Sequence, residues 1–122
     1  MAGPPPELLV RDARAWRTWL RRHHADPEGV WLVIAKKGVT EPTALTYDQA
    51  LDEALCHGWI DTKMERRDAA TYRQRFTPRR ARSSWSRANV ARVQTLLREG
   101  RMHAAGIAEM ERARADARWQ EP

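Results

Sequence analysis

The stretch Val30-Trp31-Leu32-Val33-Ile34-Ala35 contains no polar side chain, is rich in β-branched and aromatic residues, and is too short for a helix. Such a run reads as a strand covered on both faces. Helical patterns lie on either side of it. Asp12 is placed to cap a helix over about 13–24, whose Trp16, Trp19 and Leu20 form an apolar face while Arg14, Arg17, Arg21 and Arg22 face water. Thr46 with Gln49 makes a capping box for a helix over about 47–57, which Gly58 can end in the left-handed conformation.

Beyond Gly58, Trp59-Ile60-Asp61 leaves the helix, and residues 63–67 and 71–76 read as a hairpin around Asp68-Ala69-Ala70. Thr77 to Arg82 reads as a basic loop broken by Pro78. Ser83 or Ser84 is placed to cap a helix over about 85–99 with Gly100 as its stop. A last helix over about 103–118 turns Ile107, Met110, Ala113 and Ala117 inward, with Trp119 packing back on the body. Leu8, Leu9 and Val10 form a short strand or an apolar tether behind the proline-rich start. The fold class expected is α+β: a small antiparallel sheet of about three strands packed against about four helices. It forms a single domain over 8–119, preceded by a flexible lead-in at 1–7.

At 122 residues one domain can bury enough surface to fold without metal or disulfide. The lone Cys56 rules out an internal disulfide and a four-thiolate zinc site, and a reducing, cytoplasmic setting fits. No apolar run approaches the roughly 20 residues of a membrane span, so no membrane partner is expected. Nineteen Arg stand against three Lys, a bias that a GC-rich genome would also give. Position is more telling: residues 1–62 carry 7 basic and 9 acidic side chains, 63–101 carry 12 and 3, and 102–122 carry 3 and 4. The whole positive excess lies in one third of the chain, where it can attract anions or nucleic acid.

Three groups could carry chemistry. Glu53, Cys56 and His57 share one helix face, and Cys beside His is the minimum for an activated thiolate. The same spacing equally describes a buried structural Cys beside an ordinary i, i+4 pair. Metal ligation is not expected, because His23 and His24 point apart, His103 is distant in sequence, and no HxxxH or HExxH spacing occurs. In the second group, Trp59 and Asp61 at the helix exit could offer an aromatic wall and an acceptor; alternatively Trp59 is core and Asp61 pairs with an arginine. The third runs from Thr77-Pro78-Arg79 to Ser84-Trp85-Ser86-Arg87, where a basic loop enters a helix N-terminus near Ser84, a setting for phosphate, sulfate or carboxylate. The plain alternative is a solvated arginine loop with a capping serine.

These stretches also carry a resemblance. Glu53 to Asp61 (EALCHGWID), Tyr72 to Arg79 (YRQRFTPR), Ser84-Trp85-Ser86 with Asn89, and Glu99-Gly100-Arg101-Met102 with Ala105-Gly106 resemble the signature of the YdeI/OmpD-associated family, also called bacteriocin-protection proteins, over about residues 8–119. The resemblance implies a small bacterial α+β domain linked to resistance against antimicrobial peptides or other toxic compounds, with no catalytic residue and no cofactor to carry over. His57 stands where an aromatic such as Phe is expected, and Thr62 where Gly is usual.

The expected function is a non-catalytic protection protein. It would bind a small toxic compound, antibiotic or peptide in a pocket made by Glu53, Trp59, Asp61, Arg79, Ser84, Trp85 and Ser86. One alternative is nucleic-acid binding by segment 63–101, with Tyr72, Phe76 and Trp85 stacking on bases. A second is a small enzyme modifying a toxic compound, with Cys56 or Asp61 as its reactive group.

Overall fold

In the computed structural model, which describes residues 6–120, four helices pack against a four-stranded sheet. The elements run β1 (Glu7–Leu8), α1 (Ala13–His23), β2 (Val30–Ala35), α2 (Tyr47–Cys56), β3 (Trp59–Arg66), β4 (Thr71–Pro78), α3 (Arg87–Arg98) and α4 (Ala104–Ala115). The strand order is β1-β2-β4-β3, antiparallel except for β1, which lies parallel to β2. The chain is α+β, as its pattern implied.

β1 is the strand that the pattern left undecided. Two residues cannot display an alternation, yet Glu7 and Leu8 pair with Trp31 and Leu32, and Trp31 N–H donates to the Pro6 carbonyl at 2.9 Å. The lead-in expected over 1–7 therefore ends before Glu7; residues 1–5 lie outside the described residues.

β2 is buried along its whole length, for a different reason on each face. Val30, Leu32 and Ile34 join a core with Trp16, Leu20, Leu51, Leu55, Trp59, Phe76, Val90, Val93 and Met110, from all four helices and the inner face of the sheet. Trp31 and Val33 face the other way, opposite Arg75 and Arg73 in the register. The guanidinium of Arg73 lies 4.6 Å from the centre of the Trp31 ring, so the outer face is roofed by arginine stems instead of a helical layer.

β3 begins at Trp59, four residues before the expected hairpin strand. An irregularity between Asp61 and Met64 interrupts the alternation that would have revealed it. β4 likewise runs on through Thr77 and Pro78, which were expected in the loop. Thr46 and Gln49 form the capping box, and Gly58 (φ 78°) turns the chain from α2 into β3. The cap of α3 is Ser86, which accepts from Asn89 N–H, and not Ser83 or Ser84, because Trp85 is drawn inward ahead of it. α4 opens on His103, whose Nδ1 accepts from Ala105 N–H, and it buries Gly106, Met110 and Ala113. Ala117, expected inward, is exposed with a positive φ just beyond the helix. Trp119 packs against Trp85 with ring centres 5.1 Å apart.

Candidate functional site

Of the seven residues expected to share a pocket, only Arg79 lines the cleft described below; Trp59, Glu53 and Asp61 have partners elsewhere in the fold. Trp59 is fully buried, crosses Trp16 and Trp19 edge-on, and donates its Nε1–H to the His24 carbonyl. Glu53 is buried under two arginines. Nε and Nη2 of Arg17 grip its two oxygens at 3.0 and 2.8 Å, and Arg101 adds a bond at 3.1 Å. Arg17, expected to face water, keeps a partly exposed side chain while its guanidinium grips Glu53. Burial would raise Glu53, but these partners prevail and hold its carboxyl below the usual range. Asp61 accepts from the Tyr47 hydroxyl at 2.7 Å. Trp59, offered in sequence either as a pocket wall or as core, is core, because the start of β3 carries it under α1.

The thiol expected as a weak reactive candidate is also structural. Cys56 is buried, and burial together with the neighbouring Glu53 pushes its thiol up to about 12. Almost none of it is thiolate at neutral pH. His57 donates from Nδ1 to the Glu53 carbonyl, stacks on His103 at 4.9 Å, and its Nε2 is buried with no partner. His103, remote in sequence, also lies 5.1 Å from His24. Among the described residues no group of three His, Cys, Asp or Glu has the arrangement to hold a metal ion.

What the fold does assemble lies at the far end of the hairpin. A cleft of ≈ 720 Å³ opens there, bounded by β3, β4 and the loop that follows. Its cationic wall is Arg75, Arg79, Arg80 and Arg82; Thr62, Thr77 and Ser83 supply hydroxyls; Pro27, Ile60 and Pro78 form an apolar floor. No carboxylate lines it. The loop residues stood out in the sequence as a basic run before a helix. Pro27, Ile60 and Arg75 gave no comparable signal, because their proximity to the loop comes from strand register and from the 26–29 turn. Thr62 stands out in sequence only against the YdeI/OmpD-associated proteins that the chain resembles, where Gly is usual.

Arg79 is the most buried of the cleft arginines. It is 7% exposed, its guanidinium sits 3.6 Å from the Trp85 ring centre, and its Nη1 donates to Ser83 Oγ and to the Ser84 carbonyl, both at 3.1 Å. Ser84 and Trp85, both expected as ligand contacts, instead support Arg79, and Ser86 caps α3. Nε and Nη2 of Arg79, which make up the other edge of the fork, are buried and meet no acceptor. Burial with no paired acid lowers this guanidinium to about 10. The contrast with Arg17 is direct, since the Nε/Nη2 edge is the one with which Arg17 holds Glu53.

Of the eight other basic side chains in segment 63–101, four are neutralised locally. Arg67 pairs with Glu7 and Asp68, Arg73 with Glu7 and Glu65, Arg92 with Asp48 and Asp52, and Arg101 with Glu53 and Glu99. No such pair forms at the four cleft arginines among the described residues. The aromatics proposed for base stacking are not presented on this surface. Phe76 is fully buried, Tyr72 shares the helix-facing side with Ile34, and Trp85 is sandwiched between Arg79 and Trp119. No helix among the described residues is long and apolar enough to cross a membrane.

Residues 8–109 match a family described as Domain of unknown function (DUF8412). No curated protein and no solved structure matches the chain.

Proposed function

The chain belongs to the family described as Domain of unknown function (DUF8412), and from the site it carries we propose that it is a non-catalytic binding protein that captures a small anionic compound in the Arg79 cleft. One observation carries this reading: a nearly buried arginine whose bidentate edge meets no acceptor, in a wall of arginines with no acid. Leaving a buried donor unsatisfied costs about 1–3 kcal/mol, more for a charged one, and a planar guanidinium edge is shaped to take two oxygens of an oxyanion. The cleft volume falls within the range of roughly 300–1,000 Å³ of small-ligand sites, and the apolar floor suits the body of such a ligand.

The resemblance to the YdeI/OmpD-associated proteins supplies the biological side of the proposal. Capture of an acidic toxic compound would protect the cell that makes the protein. Binding without turnover agrees with a buried Cys56 thiol held far above neutral pH. Calorimetric titration with a panel of acidic antibiotics and simple organic anions tests the binding. At least one should bind the wild type one to one, with loss in Arg79→Met. Absence of anion binding from the whole panel would overturn the proposal. Tolerance of cells producing wild type or Arg79→Met, challenged with the compounds that bind, tests the protective role separately.

A further inference from the structure

Resting on that reading, we infer that the preferred ligand of the cleft is an organic phosphate: a phosphate monoester head at the arginine wall with an apolar body over the proline and isoleucine floor.

The argument is one of charge and direction. A carboxylate carries one negative charge and two coplanar oxygens, and one arginine fork satisfies it, as Arg17 does for Glu53. The cleft offers much more than one fork. Four guanidinium groups line it and no carboxylate does, the nearest acids felt by Arg79 being Glu109 and Asp61 outside the lining. A phosphate monoester carries about −1.5 to −2 at neutral pH and three strong acceptor oxygens pointing in tetrahedral directions. That head can engage the exposed Arg80 and Arg82, take up the unsatisfied edge of Arg79 once a small shift of that side chain uncovers it, and still reach donors on neighbouring walls. Thr62 and Thr77 stand on adjacent strands and Ser83 on the loop, so hydroxyl donors approach from different sides.

The floor decides against bare phosphate. Pro27, Ile60 and Pro78 present carbon to a space several times the volume of an oxyanion, and an apolar body buried there adds affinity in proportion to the area it covers. Arg82 also lines the neighbouring cleft of Ala81, Arg112, Asp116 and Arg118, so the oligothymidylate arm below separates a terminal head from a phosphate chain that continues that way.

Calorimetry at fixed ionic strength with phenyl phosphate, benzoate, inorganic phosphate and a short oligothymidylate tests the inference. Phenyl phosphate should bind one to one, at least about tenfold more tightly than benzoate or inorganic phosphate. Arg79→Lys, which keeps the charge and loses the fork, should remove most of that preference. If Arg79→Lys fails to fold, the exposed pair Arg80→Gln/Arg82→Gln should lower phenyl phosphate affinity more than benzoate affinity. Equal binding of benzoate and phenyl phosphate would overturn the phosphate assignment and leave anion capture standing. Oligothymidylate binding more tightly than phenyl phosphate, with a steep loss in salt, would overturn it in favour of nucleic acid. No binding by any of the four overturns it outright, and the antibiotic panel then decides whether capture of some other anion survives.

Discussion

Replacing Arg79 by Met removes a side chain that is almost wholly buried and hydrogen-bonded twice, so a severe loss of stability would be the usual expectation. The environment of Arg79 gives a different answer. A guanidinium held at about 10, well below its ordinary value, costs the fold about 3 kcal/mol at neutral pH, at ~1.4 kcal/mol per tenfold change. The sign follows from linkage: the folded state binds this proton less tightly than the unfolded state, so the cost is present below the folded value and is relieved above it. On the other side, the Trp85 contact is worth about 1–2 kcal/mol and the two hydrogen bonds about 1 kcal/mol each. Met retains the contact with Trp85, worth about 0.5–1 kcal/mol. The terms cancel to within about 1 kcal/mol. Arg79→Met should therefore unfold in urea close to the wild type, whereas Arg17→Met, which strips Glu53 of its bidentate partner, should lose about 2–3 kcal/mol. Ligand separates the variants again: at about 100 Kd it adds ~2.7 kcal/mol to the wild type and nothing to Arg79→Met. A loss of 3 kcal/mol or more in ligand-free Arg79→Met would refute the reasoning, because Arg79 would then be an anchor of the loop.

Acid should weaken the fold through its histidines. Burial lowers both His57 and His103, and His24 and Arg21 lower His103 further, so the unfolded chain takes up protons first as pH falls through about 6.5. Urea midpoints should fall between pH 7.5 and 5.5, with a shallower decline in His57→Phe; an unchanged midpoint counts against the His24–His103–His57 stack. Gly106→Ala should be strongly destabilising although alanine is the better helix former by about 1 kcal/mol, since its Cβ would lie 2.3 Å from the Cys56 carbonyl oxygen. A neutral or stabilising result in thermal denaturation would mean that α4 does not seat against the end of α2. Cys56 should react with a thiol reagent only as fast as the protein opens, and Cys56→Ala should bind ligand like the wild type. Rapid labelling of the native protein would contradict the burial of that thiol.

Local signals in the chain were legible wherever one short stretch decided the outcome. Asp12 and Thr46 cap the helices they precede, and the 30–35 run is the strand buried on both faces. The misplacements have a common cause, which is selection by distant contacts. Three serines stand within four residues ahead of α3, and the burial of Trp85 leaves Ser86 as the cap. Trp59 beside Asp61 looks the same in sequence whether it walls a pocket or fills a core, and only its place under α1 makes it core. The charge segment was visible as a total but not as a pattern. Neutralising partners such as Arg17 with Glu53, Arg92 with Asp52 and Arg101 with Glu53 lie 36 to 48 residues apart. Removing the paired Arg67, Arg73, Arg92 and Arg101 from the basic third leaves eight cations, four of which line one cleft.

The loop that carries Arg79 is braced from the last turn of the chain. Arg118 donates to the Ser83 carbonyl at 2.6 Å, and Trp119 lies against Trp85, which in turn lies beneath Arg79. A fusion partner or affinity tag attached just beyond Trp119 would therefore sit within a few residues of the groups that hold the binding loop, and weak binding by such a protein would say little about the native cleft. The N-terminal strand occupies the opposite edge of the sheet, with β2 and β4 between it and β3. That edge is the place to attach anything added for purification, immobilisation or fluorescence.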